Sequence, residues 1–153
     1  MSHIDSKENE YMQLVREKEF VNQYHYDARN LEWEKENGTP ETNFEVTFQL
    51  INKDEAQKET AIVSVLQFVI VKEEFVISGV ISQMVRILDR LVDKPSEFTQ
   101  EEVESLAAPL LDMVKRLTYE VTEIALDRPG INLEFKNCLL YTSDAADERS
   151  SVD

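Results

Sequence analysis

The stretch Phe44–Met84, FEVTFQLINKDEAQKETAIVSVLQFVIVKEEFVISGVISQM, decides the fold. Phe44, Val46, Phe48 and Leu50 alternate with Glu45, Thr47 and Gln49, the period-two pattern of a strand buried on one face and wet on the other. After the polar loop Asn52–Thr60, the run Ile62–Val71 is apolar on both parities, which predicts a strand covered on both sides. Lys72-Glu73-Glu74 is a short polar turn, and Phe75, Ile77, Gly79 and Ile81 then alternate with Val76, Val80 and Met84 in a further strand. Short loops between such runs make them antiparallel neighbours.

Working outward, Phe20–Trp33 is rich in aromatic and β-branched residues, with Phe20, Tyr24 and Tyr26 at even spacing, and reads as one long strand. Asn37-Gly38-Thr39-Pro40 behind it is a turn signal, so a hairpin is expected to join it to Phe44. Residues 1–19 are polar, with Met12, Leu14 and Val15 too sparse for a long helix, and read as a flexible lead-in. Downstream, Thr99-Gln100-Glu101-Glu102 is a capping box that starts a helix. Val103, Leu106, Leu110, Val114, Leu117, Val121 and Ile124 form its apolar stripe. Pro109 is expected to break it near Ala107-Ala108 and begin a second helix. The fold class is therefore α+β: a four-stranded antiparallel meander with C-terminal helices packed on one face, in a single domain over residues 20–137.

The last stretch, residues 138–153, differs in composition from the rest. Cys138-Leu-Leu-Tyr-Thr-Ser143 is what TGT CTC TTA TAC ACA TCT encodes, which resembles a sequencing-library adapter, and Asp144-Ala145-Ala146-Asp147 continues in kind. It is expected to be a disordered read-through tail outside the fold. It holds the only Cys, Cys138, so the body has no disulfide and no thiolate metal site.

With 31 acidic against 16 basic residues the net charge is −15, a field that repels phosphate backbones, so nucleic acid is not expected as a partner. The run Ala61–Val71 is about half the length a membrane-spanning helix needs. The N-terminus has no basic and apolar leader, which places the chain in the cytoplasm by expectation. Catalytic chemistry is thin: His3 and His25 are the only imidazoles, and a lone strand histidine is more often a sheet residue than a base. His25 and Asp27 share a strand face but show no nucleophile beside them. No catalytic residue, cofactor or metal ligand is assigned. The informative excess is apolar. A strand greasy on both faces and one helical layer leave surface to be covered by a second subunit or an apolar partner.

Tyr24–Thr42 (YHYDARNLEWEKENGTPET), Phe75–Gln83 (FVISGVISQ) and Arg116–Phe135 (RLTYEVTEIALDRPGINLEF) resemble the domain of unknown function 1149 family of Gram-positive bacteria, over about Glu17 to Phe135. The resemblance implies a SecB-like fold. The match to the preprotein chaperone SecB itself is mostly architectural, with Pro109 at the main helix and Pro129 in a turn into Asn132-Leu133. SecB holds unfolded preproteins in apolar grooves of a tetramer and delivers them to the SecA motor. Its zinc-binding tail has no counterpart here, which puts delivery in doubt. Carried over, the resemblance implies a homo-oligomer, dimer or tetramer, that holds non-native or extended polypeptides. The alternatives are a regulatory or structural protein recognising one specific partner and, less favoured, a small-molecule enzyme. Candidate polypeptide-binding residues are Tyr24, Tyr26, Trp33, Phe44 and Phe48, since aromatics dominate binding hot spots.

Overall fold

A computed structural model describes residues 12–135 and the backbone of a short strand at Leu140–Tyr141. The chain runs β1 (Gln13–Arg16), β2 (Phe20–Ala28), α1 (Leu31–Asn37), β3 (Asn43–Asp54), β4 (Glu59–Val71), β5 (Phe75–Leu88), a 3-10 turn (Pro95–Glu97), α2 (Gln100–Leu126) and β6 (Leu140–Tyr141). The α+β class and the meander of β3, β4 and β5 are as expected, each strand antiparallel to the next.

Among the described residues the antiparallel strands number five, not four, and the extra one lies in the expected lead-in. Met12 and Leu14 are buried, two residues apart, and β1 pairs with the last turn of β5, Leu14 opposite Ile87. Read at helical spacing these residues are sparse; at strand spacing they are one buried face. β2 continues the same sheet edge, pairing with Phe75–Ser82 of β5. The expected hairpin between β2 and β3 does not form. β2 ends at Ala28, and Asn30 caps α1 by accepting the Trp33 N–H at 3.0 Å. Asn37-Gly38 closes this helix, with Gly38 at φ 97° donating its N–H to the Glu34 carbonyl. A positive-φ residue serves a helix end as well as a hairpin, so the dipeptide alone could not choose. The sheet order is thus β2-β5-β4-β3, a Greek-key arrangement in which the long connection comes first.

The helix is also one, not two. Pro109 lacks the N–H that would bond the Ser105 carbonyl, and Arg16 of β1 takes its place, its Nη2 donating to that oxygen at 3.0 Å. The capping box forms as read: Thr99 Oγ1 accepts the Glu102 N–H and a Glu102 carboxylate oxygen accepts the Thr99 N–H. Val103, Leu106, Leu110 and Val114 are buried as expected, but Ile124 is 78% exposed and the buried positions of the last turns are Thr118 and Thr122. Their hydroxyls are used. Thr118 pairs with the Tyr24 hydroxyl at 3.1 Å, and Thr122 donates to the Thr118 carbonyl and accepts the Ile131 N–H. The segment 131–135 returns along this side of α2, burying Leu133, and so rotates the buried arc. Within 138–153, expected to be without structure, Leu140–Tyr141 pairs parallel with Glu45 and Val46 of β3; the remainder of that tail lies outside the described residues.

Candidate functional site

Strand alternation divides the sheet into two faces. On β4 the even positions, Ile62, Leu66, Phe68 and Ile70, are buried against α2 in the one core cluster, while the odd positions are only partly covered. On β5 the odd positions are buried and Val76, Val80 and Met84 lie on the opposite side with Val63, Val65 and Val69. Among the described residues the helical layer covers only the first face, so the second presents an open valine-rich surface. The two-sided apolar run of β4 is accounted for: one side is core, the other this surface.

Of the five candidate residues, four belong to the covered face. Tyr24 is half-buried with its ring 6.1 Å from Phe68; Tyr26 stacks on Phe75 at 5.0 Å. Burial pushes the Tyr24 hydroxyl above its ordinary value, and the bond to Thr118 opposes this. Phe44 and Phe48 are buried, edge-on to Phe135 and Phe98. The structure does not bring the five together. Trp33 stands apart, 56% exposed on α1, on which Leu31 is 59% exposed. The residues that sequence reasoning passed over are Phe20, 63% exposed, and Met84, 41% exposed, both on the open face. Strict alternation along β5 was the signal for Met84.

The helix that carries Trp33 is tied to its surroundings. Arg29 forks onto the Glu34 carboxylate with Nε at 3.0 Å and Nη2 at 2.7 Å, and its Nη1 reaches the Lys72 carbonyl, tying α1 to the β4–β5 turn. The guanidinium bond holds Glu34 below the usual carboxylate range. A depressed folded-state value stabilises the fold above the unfolded value and is lost as pH falls through the folded one. Trp33 is the only tryptophan, so its fluorescence is expected to report release of α1 below about pH 4. In Glu34→Gln that low-pH step should vanish; an unchanged step would assign it elsewhere.

A shallow, open depression of about 300 Å³ lies among Gln23, Asn43, Glu45, Gln67, Val69, Ser78 and Val80, with Phe68 and Gly79 at its base. His25 and Asp27 lie exposed along the adjoining edge, opposite Ser78 and Val76. Among the described residues no group of three or more His, Cys, Asp or Glu is gathered to hold a metal ion. No described helix is long and apolar enough to cross a membrane.

The model of a protein family of unknown function, DUF1149, matches residues 12–135. The chain belongs to this family. The match spans β1 through the segment after α2, the same residues that build the core. This DUF1149 protein is 77% identical to a protein of unknown function from Streptococcus agalactiae known as a crystal structure, covering 81% of this chain and 98% of that one, with a TM-score of 0.80. A distant structural likeness is to the SecB-like chaperone of Mycobacterium tuberculosis in complex with a peptide from an antitoxin: 15% identity, 79% of this chain and 86% of that one, TM-score 0.40. No curated protein matches the chain.

Proposed function

We propose that this DUF1149 protein is a non-catalytic, homo-oligomeric, cytoplasmic protein that holds non-native or extended polypeptides. One observation carries the reading: apolar surface stands outward on firm secondary structure, as the valine-rich sheet face and as Leu31 and Trp33 on a helix clamped by Arg29 and Glu34. Outward apolar surface of this extent in a soluble domain marks an interaction site. Rigid aromatic anchors supply contact area at little entropic cost. The strongly acidic surface keeps such a protein dispersed while its apolar patches are engaged.

The test is suppression of aggregation of a chemically denatured protein on dilution, followed by light scattering. Suppression is expected near stoichiometric amounts of the chain. Trp33→Ala is expected to weaken it by about ten-fold while leaving the melting temperature unchanged, because the indole is more than half exposed. A second reading, recognition of one folded partner, draws on the same clamp, since a fixed knob suits a single complementary pocket. No suppression by the wild-type chain, with specific capture of one protein that Trp33→Ala abolishes, would select it.

A further inference from the structure

We propose that the core beneath α2 binds a structural water molecule that bridges the Ser64 hydroxyl of β4 and the side-chain carbonyl of Gln83 on β5. Both residues stand on the covered face of the sheet, at 0% and 3% exposure, and they are directly opposite each other in the β4–β5 register. The other buried polar side chains are engaged. Thr60 donates to the Arg90 carbonyl and accepts the Val92 N–H, Thr118 and Thr122 are bonded as described, and Glu34 and Glu102 each hold an arginine. Ser64 Oγ and Gln83 Oε1 meet no hydrogen-bond partner among the described residues, and they do not bond each other. A buried polar atom left unpaired costs more than an average hydrogen bond gains, so two of them side by side mark a site. Residues opposite each other across a sheet have Cβ atoms about 5 Å apart, and polar tips that face without touching at that spacing suit one bridging molecule.

The chemistry of the pair selects the occupant. Gln83 Nε2 donates to the Glu17 carbonyl at 2.7 Å, and Glu17 is itself fixed by donating its N–H to the Met84 carbonyl. A carbonyl only accepts, so the amide orientation is settled, and the planar group turns Oε1 away from Glu17, which lies on the β1–β2 side of β5, opposite β4. The occupant must therefore donate to Oε1. An anion has nothing to donate, and a cation would be buried without a countercharge. A water molecule donates to Oε1 and also exchanges a hydrogen bond with the Ser64 hydroxyl, which reaches the two polar partners a buried water needs. The resulting chain, Ser64 to water to Gln83 to Glu17, runs from β4 across β5 to the junction where β1 and β2 share one edge of that strand. This inference is independent of the proposed function.

The experiment has a direct arm and a sign arm. In a crystal structure of the full chain at about 1.8 Å or better, an ordered water is expected within about 3.2 Å of both Ser64 Oγ and Gln83 Oε1. In solution, nuclear Overhauser contacts from water to the Gln83 side-chain amide and the Ser64 methylene are expected, and they should be lost in Ser64→Ala. A direct hydrogen bond between the two side chains, or a dry site without these contacts, overturns the proposal. Ser64→Ala also separates the cases by the direction of its effect on stability. Removing a hydroxyl that holds a water should lower the melting temperature by about 3–5 °C, whereas removing an unpaired one should raise it. A raised melting temperature therefore overturns the bridge as well, and the wild-type measurements decide the question even if the variant does not fold.

Discussion

Gly79→Ala is expected to cost about 3 kcal/mol and to lower the melting temperature by about 10 °C. Gly79 lies on β5 in register with Tyr24 of β2 and Phe68 of β4, and both neighbours use the space where a side chain would stand. A methyl group there would fall 2.2 Å from the Gln23 carbonyl oxygen and 2.8 Å from Cζ of Phe68. The ring could tilt, but the carbonyl belongs to a paired strand next to a bulge, so β2 must move away from β5. That would carry off the Tyr24 hydroxyl from Thr118 and the stacking of Tyr26 on Phe75. Thermal unfolding reads the loss, and hydrogen exchange should localise it, with β2 amides opening before those of β4. Phe68→Leu added to Gly79→Ala should recover only part of the loss, since it relieves the ring and not the carbonyl. A melting temperature within about 2 °C of wild type would show that β2 is not held as described.

Glu102→Ala is expected to destabilise the chain by about 2–3 kcal/mol in urea unfolding. Its carboxylate is nearly buried and does two things at once: one oxygen accepts the Thr99 N–H in the capping box and the other takes Arg90 Nη1 at 2.7 Å. Arg90 in turn lies over the Phe98 ring at 5.5 Å, and Phe98 packs edge-on against Phe48 of β3. Removing the carboxylate uncaps α2 and leaves a guanidinium, about a quarter exposed, with its strongest partner gone. Glu102→Gln keeps an acceptor for the cap and loses the ion pair, so it should cost about half as much. Equal losses for the two variants would mean that the charge pair dominates and the cap contributes little.

The cap was legible from four consecutive residues, Thr99 to Glu102, because a capping box is a local device. Its partner Arg90 was not, since nothing in sequence spacing links a loop residue to a helix start. The same division runs through the candidate binding residues. That Tyr24, Tyr26, Trp33, Phe44 and Phe48 are aromatic on strand-like or flanking sequence was plain, but which of them face outward depends on where α2 and residues 131–135 lie. Trp33 was grouped with Tyr24 and Tyr26 by assuming that one strand runs through all three. Asn30 stops it, turning Leu31–Asn37 into a helix and leaving the indole in solvent.

By itself the sequence determined the three-strand meander, the start of α2, the acidic surface and the family, because each depends on side-chain alternation, local capping, composition or runs of residues compared directly. Only the tertiary structure decided that β2 lies beside β5 instead of β3, that β1 completes the edge, and that α2 passes through Pro109 unbroken. Alternation states which face a residue shares but not which strand or helix will cover it. The Ser105 carbonyl freed by Pro109 finds its donor in Arg16, 89 residues away along the chain, and only the folded chain brings the two together.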